Sequence, residues 1–377
     1  MATDGTEIAR PHLNIGPGAF IAEEIEARGW RKEDLAVIMG MKPQALSRIV
    51  NNRQPVTIRT ARLLGEAFGQ SPQFWLNLDN GYRLRLQQDE RRISEAGIRA
   101  GIYDYMPVGE MQAKGWIKGG SAIDDLKTAF AKFWGVRRFD PLALDKAILP
   151  DFRKSEAFRQ FNQNYAKTWF QMARTCARTY AADRYNRSEL HALAKRLNTY
   201  TRQEDGAARF IADLKRVGVK FFVLSHLQKT YIDGASFMDR DNPVVVYTGR
   251  HNRTDNFWFT VAHELGHVSL HLTKATDLFL DNIDELHSRK EDEANRLAYD
   301  ALKVKAILKY FRPLGKYISR SHVLAGSAYL DVSPAVIVGC LQHHDMLPPQ
   351  NLNRFKVPVI RQIPEEYCPE LKLRAAG

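Results

Sequence analysis

Cysteine is scarce in this chain: Cys176, Cys340 and Cys368 are the only three in 377 residues, far apart and in no CxxC pair. That usage excludes a disulfide framework and a thiolate zinc knuckle, and leaves three buried thiols as the reading. Long apolar runs are also lacking. No stretch approaches the roughly 18 residues that span a bilayer, and the N-terminal MATDGTEIARPHLN has neither the basic flank nor the apolar core of a secretory signal. A cytoplasmic protein with no membrane partner is expected. Internal repeats and low-complexity segments do not occur. Net charge is absent from residues 1–90, which hold 11 Lys/Arg against 11 Asp/Glu. The excess of +12 comes mainly from residues 91–240, with 27 against 16, and hardly from residues 241–377, with 17 against 16. Scattered basic residues of this kind read as solvated helical faces.

What is present is a soluble, globular make-up, 44% hydrophobic and 26% charged, in a chain long enough for two or three domains. Residues 17–85 read as about five short helices. FIAEEIEARGW has helical apolar spacing with a Gly stop at Gly29, Pro43 suits a first helical turn, and Ser71 with Pro72 opens the last helix. Residues 86–220 look mostly helical, with breaks at MPVGE, KGG and ILPDF. From Val217 the pattern changes to short β-rich pieces, VKFFVLS, ASFM and PVVVYTGR, separated by DG and DNP turn signals. Helix returns at FWFTVAHELGHVSLHL and RKEDEANRLAYDALKV, which makes an α+β arrangement.

KEDLAVIMGMKPQALSRIVNNRQPV has the layout of a helix-turn-helix. Leu35, Ala36 and Ile38 give the first helix an inner face, Gly40 permits the turn, and Leu46 and Ile49 anchor the second helix. Gln44, Ser47 and Arg48 then point outward. Arg can be bidentate to guanine and Gln to adenine, while Lys42, Ser47, Asn51 and Arg53 suit phosphates or base edges. Helix pairs of this shape also occur in proteins that bind no DNA. The stretch from Gly16 to Arg85, above all ALSRIVNNRQPVTIRTARLLGEAFGQSPQFWLNLDNGYRL, resembles the Xre-type helix-turn-helix domain of HigA-like antitoxins. The resemblance implies double-stranded operator DNA as a partner, a homodimer, and a cognate toxin. One departure is Asn52, where that family usually has Gly; Asn tolerates the left-handed conformation, so the turn should survive.

His263 and His267 lie four residues apart, so on a helix their rings stand one above the other and can reach a single ion. Glu264, offset by one residue, falls beside that ion, where a base can take a proton from a water polarised by the metal. Two imidazoles and one carboxylate leave a fourth position open on Zn2+, the hydrolytic arrangement. The apolar flanks fit a buried helix with structurally bonded histidines equally well, so a third ligand must decide. His271 is excluded as that ligand, because histidines at i, i+4 and i+8 on one straight helix span roughly 12 Å. It reads as a helix-end residue behind the ligands. Downstream, Glu291, Asp292 and Glu293 supply a carboxylate cluster whose other reading is a dipole-compatible first helical turn.

The ordered series DGASFM, VVVYTGR, RTDNFWFTVAHELGHVSLHL, FLDN, EDEANRLAYDAL and VSPAVIVGCLQHHDMLP resembles the ImmA/IrrE family of zinc metallopeptidases over roughly residues 170–350. The resemblance implies His263 and His267 as zinc ligands and Glu264 as general base. It implies Glu291 as third ligand with Asn295 as that ligand's partner behind the metal, and Glu293 as the fallback. Tyr299, His343 and His344 are candidates for stabilising the oxyanion. The fold class expected is an all-α N-terminal helix-turn-helix domain plus an α+β zincin-like domain with a small sheet and an HExxH helix. The expected division is a tail over 1–15, a helix-turn-helix domain over 16–88, a helical connecting region over 89–165, a metallopeptidase domain over 166–350 and a tail over 351–377. Together these imply a transcriptional regulator with a zinc endopeptidase domain whose protein substrate is a repressor or antitoxin. The alternative is a DNA-binding regulator whose zinc domain does not turn over.

Overall fold

The computed structural model describes residues 14–88, 95–139, 161–273, 278–280, 289–315 and 317–375. Residues 1–13 of the expected first tail, the expected boundary after 88, residues 140–160 with ILPDF, and Asp281 and Asn282 of FLDN lie outside them. The chain divides into two units, Met1–Ser94 and Glu95–Gly377.

Among its described residues the first unit contains five helices: α1 (Pro17–Ala27), α2 (Lys32–Ile38), α3 (Pro43–Val50), α4 (Ile58–Phe68) and α5 (Pro72–Gln88). Proline stands at the first turn of α1 and α3, where its missing N–H costs nothing. The Thr57 hydroxyl caps α4 by accepting from the Thr60 amide. Ile21, Leu35, Leu46, Ile49, Leu64 and Trp75 close a common core. The turn that leaves α3 holds Asn52 at φ 56°, and its side-chain oxygen accepts from the Gly18 amide at 2.9 Å. Asn52 therefore fills the left-handed position as expected and also ties the turn to α1. Asp79, buried on α5, accepts from the Val56 amide at 3.0 Å and pairs with Arg83.

The second unit opens with α6 (Glu95–Tyr105), α7 (Val108–Ala113), α8 (Ile123–Trp134), α9 (Gln163–Ala177), α10 (Arg187–Lys195), α11 (Leu197–Thr201) and α12 (Gly206–Arg216). A four-stranded sheet follows, built from β1 (Lys220–Val223), β2 (Gly234–Asp239), β3 (Asn242–Tyr247) and β4 (Leu278–Leu280) in the order β1-β3-β2-β4. β1 runs parallel to β3; β2 is antiparallel to both its neighbours. The 17-residue α13 (Thr254–Leu270) lies between β3 and β4 in the chain, and α14 (Arg289–Ala301), α15 (Val304–Phe311), α16 (Arg320–Leu330), α17 (Pro334–His343) and α18 (Pro369–Ala375) complete it.

The strands are apolar on both faces because both are covered. Phe221, Val223, Val245 and Tyr247 pack with Phe257, Trp258 and the helices after β3. Phe222, Val244, Val246 and Phe237 pack instead with Trp116, Phe130, Trp134, Trp169 and Phe170. The expected connecting region thus supplies, through residues 95–139, a helical layer of the second unit. Val359, Ile363, Tyr367 and Cys368 of the expected C-terminal tail likewise sit in its core. No single helix among the described residues is long and apolar enough to cross a membrane. The helical first unit and the α+β second unit with its small mixed sheet are the fold class expected from the sequence.

Candidate metal centre and helix-turn-helix surface

α13 is buried nearly all round, from Phe257 to Ser269, which is why its apolar residues show no single stripe. It packs against α14 at unusually short range: a Cβ on Gly266 would stand 2.8 Å from the Ala294 Cα. The glycine of HELGH is thus a spacing device. Across this contact the pairs Phe259 with Tyr299, His263 with Asn295, and His267 with Glu291 define an antiparallel register.

The register brings three donors together. The His263 and His267 Nε2 atoms are 3.0 Å apart, and the Glu291 carboxylate oxygens lie 3.1 Å from the first and 3.2 Å from the second. Ligand atoms of His263, His267 and Glu291 all fall within 4.8 Å of one another. Glu293, the fallback, is turned away: its carboxylate accepts from His271 Nε2 at 3.1 Å and from Arg289 Nε at 2.9 Å. Asn295 departs from the expectation. The sequence pairs it with Glu291, one turn away on its own helix, but its Oδ1 meets His263 Nδ1 at 2.9 Å, because the two helices lie closer than spacing along one helix suggests.

The proton positions follow from the partners. The Asn295 oxygen only accepts, so His263 carries its proton on Nδ1. Glu293 accepts from His271 Nε2, which leaves the Nδ1 of a neutral His271 as an acceptor for His267 Nδ1–H, at 3.1 Å. Both Nε2 lone pairs then face each other and the Glu291 carboxylate. Three convergent lone-pair donors of this kind fit a divalent cation. His271 is not among the three convergent donors; its Nδ1 lies against the outer nitrogen of His267.

Electrostatics agree with this donor set. Burial pushes the His267 pKa down, favouring the neutral ring, against the opposing pull of Glu291. For Glu291 burial pulls upward, but the Nε2 sides of His263 and His267 prevail and hold its carboxyl at about 2, as protons on those nitrogens in the place of a cation would do. Glu264 is completely buried, beneath the start of β2, where a Cβ on Gly234 would stand 2.6 Å from its Oε1. Phe279 of β4 stacks on the His267 ring, with centroids 4.4 Å apart and planes at 13°. Sequence reasoning did not single out Gly234, Phe279 or the Glu293 contact; the FL of FLDN was the available signal for Phe279. Tyr299, His343 and His344 come together, with the Tyr299 hydroxyl 3.4 Å from His343 Nε2 and the Tyr299 and His344 rings 6.0 Å apart.

In the first unit, α2, the turn at Gly40 (φ 59°) and α3 form the expected helix pair. Lys42, Gln44, Arg48, Asn51 and Arg53 are exposed, and Ser47 is half-buried. Asn51 Nδ2 donates to Ser47 Oγ at 3.3 Å, so these two amino acids share one polar edge of α3. Leu46 and Ile49 point into the core with Leu35 and Ala36, as the helix-turn-helix reading requires, whereas Ile38, expected on the same inner face, is exposed at the end of α2.

Comparison with known proteins assigns both units. Residues 21–75 match the family described as Helix-turn-helix, and residues 214–337 match the IrrE N-terminal-like domain, a peptidase family. Virulence-associated protein I of Dichelobacter nodosus is 32% identical over 82 residues, 21% of this chain and 76% of that protein. An uncharacterized HTH-type transcriptional regulator of Haemophilus influenzae is 31% identical over 80 residues, 21% of this chain and 75% of its own. The solved structure of an addiction module antidote protein of a HigA family from Coxiella burnetii is 30% identical, covering 21% of this chain and 90% of its own, with a TM-score of 0.20. The chain thus belongs with the helix-turn-helix proteins through its first unit and carries an IrrE N-terminal-like domain within its second.

Proposed function

We propose that the second unit is a zinc endopeptidase and that the first reads operator DNA, so that the chain is a regulator which cuts a repressor or antitoxin in a stress, prophage or toxin–antitoxin response. The observation that carries this reading is the convergence of His263, His267 and Glu291, with both outer ring nitrogens bonded away from the centre. Zn2+ held there would supply Lewis acidity, polarising a substrate carbonyl and making water more acidic. Glu264 accepts the proton of the attacking water and passes it to the leaving amine. Asn295 and His271 hold the two imidazoles in the orientation that ligation needs. Lys42, Gln44, Ser47, Arg48, Asn51 and Arg53 contact double-stranded DNA, with the protein acting as a homodimer, and a cognate toxin is a further partner of the first unit.

The second reading is a regulator whose metal site senses without turnover. Complete burial of Glu264 favours it. One experiment separates the two: wild type and Glu264→Gln, each with one zinc, are incubated with repressors encoded beside the gene. A defined cut made by wild type and lost in the variant, with zinc content unchanged, supports the peptidase. Chelation that alters only operator affinity, with no cut by either protein, supports the sensor.

A further inference from the structure

Phe259, four residues before His263 on α13, and Tyr299, four residues after Asn295 on α14, meet with ring centroids 5.9 Å apart. The contact between the two helices is thereby repeated one turn along from the His263 and Asn295 pair, about 6 Å away at 1.5 Å per residue. Against these two rings opens a cavity of about 390 Å³, walled further by Leu302, Val304, Val336 and Cys340. That volume lies within the roughly 300–1,000 Å³ of pockets that enclose a ligand.

The chemistry of the wall is one-sided. Its charged groups satisfy one another: Asp255 accepts from Arg253 at 3.2 Å and pairs with Lys356 at 3.0 Å, and Lys356 also donates to Gln342. Asn256, Gln342, His343 and His344 add polar groups along one edge, and the side formed by Phe259, Tyr299, Leu302, Val304, Val336 and Cys340 is apolar and aromatic surface. A peptide advances about 3.3 Å per residue, so a side chain next to a carbonyl held at the His263, His267 and Glu291 cluster spans the 6 Å offset. We propose that this cavity takes the substrate side chain adjoining the scissile bond, and that it selects a large apolar or aromatic one. A methyl group leaves most of the apolar wall uncovered. A carboxylate loses its hydration without finding an unengaged cation in the Asp255 cluster. The inference rests on the peptidase reading above and specifies its substrate class.

The test uses the full chain loaded with zinc and three peptide hydroxamates that differ only in a methyl, benzyl or carboxymethyl side chain, with binding followed by calorimetry. The benzyl probe binds wild type at least tenfold more tightly than either of the others. Cys340→Phe and, separately, Val304→Phe fill the cavity, and the benzyl-to-methyl ratio falls towards one in whichever variant retains zinc and a cooperative melt. Equal binding of benzyl and methyl probes to wild type overturns the pocket while leaving the metal centre standing, as does a preference for carboxymethyl. Failure of all three hydroxamates to bind zinc-loaded wild type overturns the metal-centre reading, and the pocket falls with it.

Discussion

His271 and His267 face each other through their Nδ1 atoms at 3.1 Å, so one ring gives a proton and the other accepts it. Glu293, accepting from the far nitrogen of His271, decides which. The result is a relay from the Glu293 carboxylate through His271 to the buried ring of His267. His271→Ala is expected to weaken zinc binding about 10- to 100-fold, the usual cost of losing a group that orients a metal ligand. Competition with a chromogenic chelator measures it, and an unchanged affinity would remove His271 from the site.

Gly266 sets the distance at which His263 and His267 meet Glu291. A branched side chain there collides with the Ala294 backbone and with no flexible side-chain tip that could yield. Gly266→Val should cost about 1–3 kcal/mol in overpacking and bring zinc stoichiometry below one per chain. Calorimetric melting and elemental analysis give the two numbers. A variant that melts lower yet binds a full equivalent would mean that the helices can part without moving Glu291 from the histidines.

The three thiols make a prediction at alkaline pH. Burial pushes Cys176 and Cys340 up to about 12 and Cys368 up to about 11, with nearby Glu370 adding to the shift at Cys176 and Cys368. An unfolded thiol loses its proton near pH 8.5. Between about pH 9 and 12 the folded chain therefore binds more protons than the unfolded one, and stability falls as pH rises through that window. Below it the thiols contribute no slope. Urea midpoints against pH should show a shallower alkaline decline for Cys176→Ala than for wild type; identical slopes would count against the buried thiol.

On the helix-turn-helix surface, Arg48 and Lys42 should fail differently. Arg48→Ala is expected to cost about 1–3 kcal/mol on the preferred DNA and to relax its sequence preference, as loss of a base contact does. Lys42→Ala should weaken all sequences alike and reduce the salt slope by about one. Titrations at several salt concentrations on DNA from upstream of the gene, and on a scrambled duplex, separate the two. A uniform loss for Arg48→Ala would make it a phosphate contact.

How much of this could be read from the sequence depends on distance along the chain. His263, Glu264 and His267 share one helix, so four-residue spacing alone places the rings on one side. The helix pair around Gly40 is equally local. The partner of Asn295 was out of reach, because choosing His263 over Glu291 requires the register between α13 and α14, which neither helix carries alone. Phe130 and Trp134 stand four residues apart on α8, which puts them on one face without saying what that face covers. The runs FFV and VVVY were apolar throughout, which was the available hint that the sheet is clothed on both sides.

That double clothing decides where the protein can be cut for expression. A fragment starting at residue 166 would lose Trp116, Phe130 and Trp134 from the core they share with Phe222, Val244 and Val246, leaving apolar surface that invites aggregation. The unit to express on its own is the block from Glu95 onward.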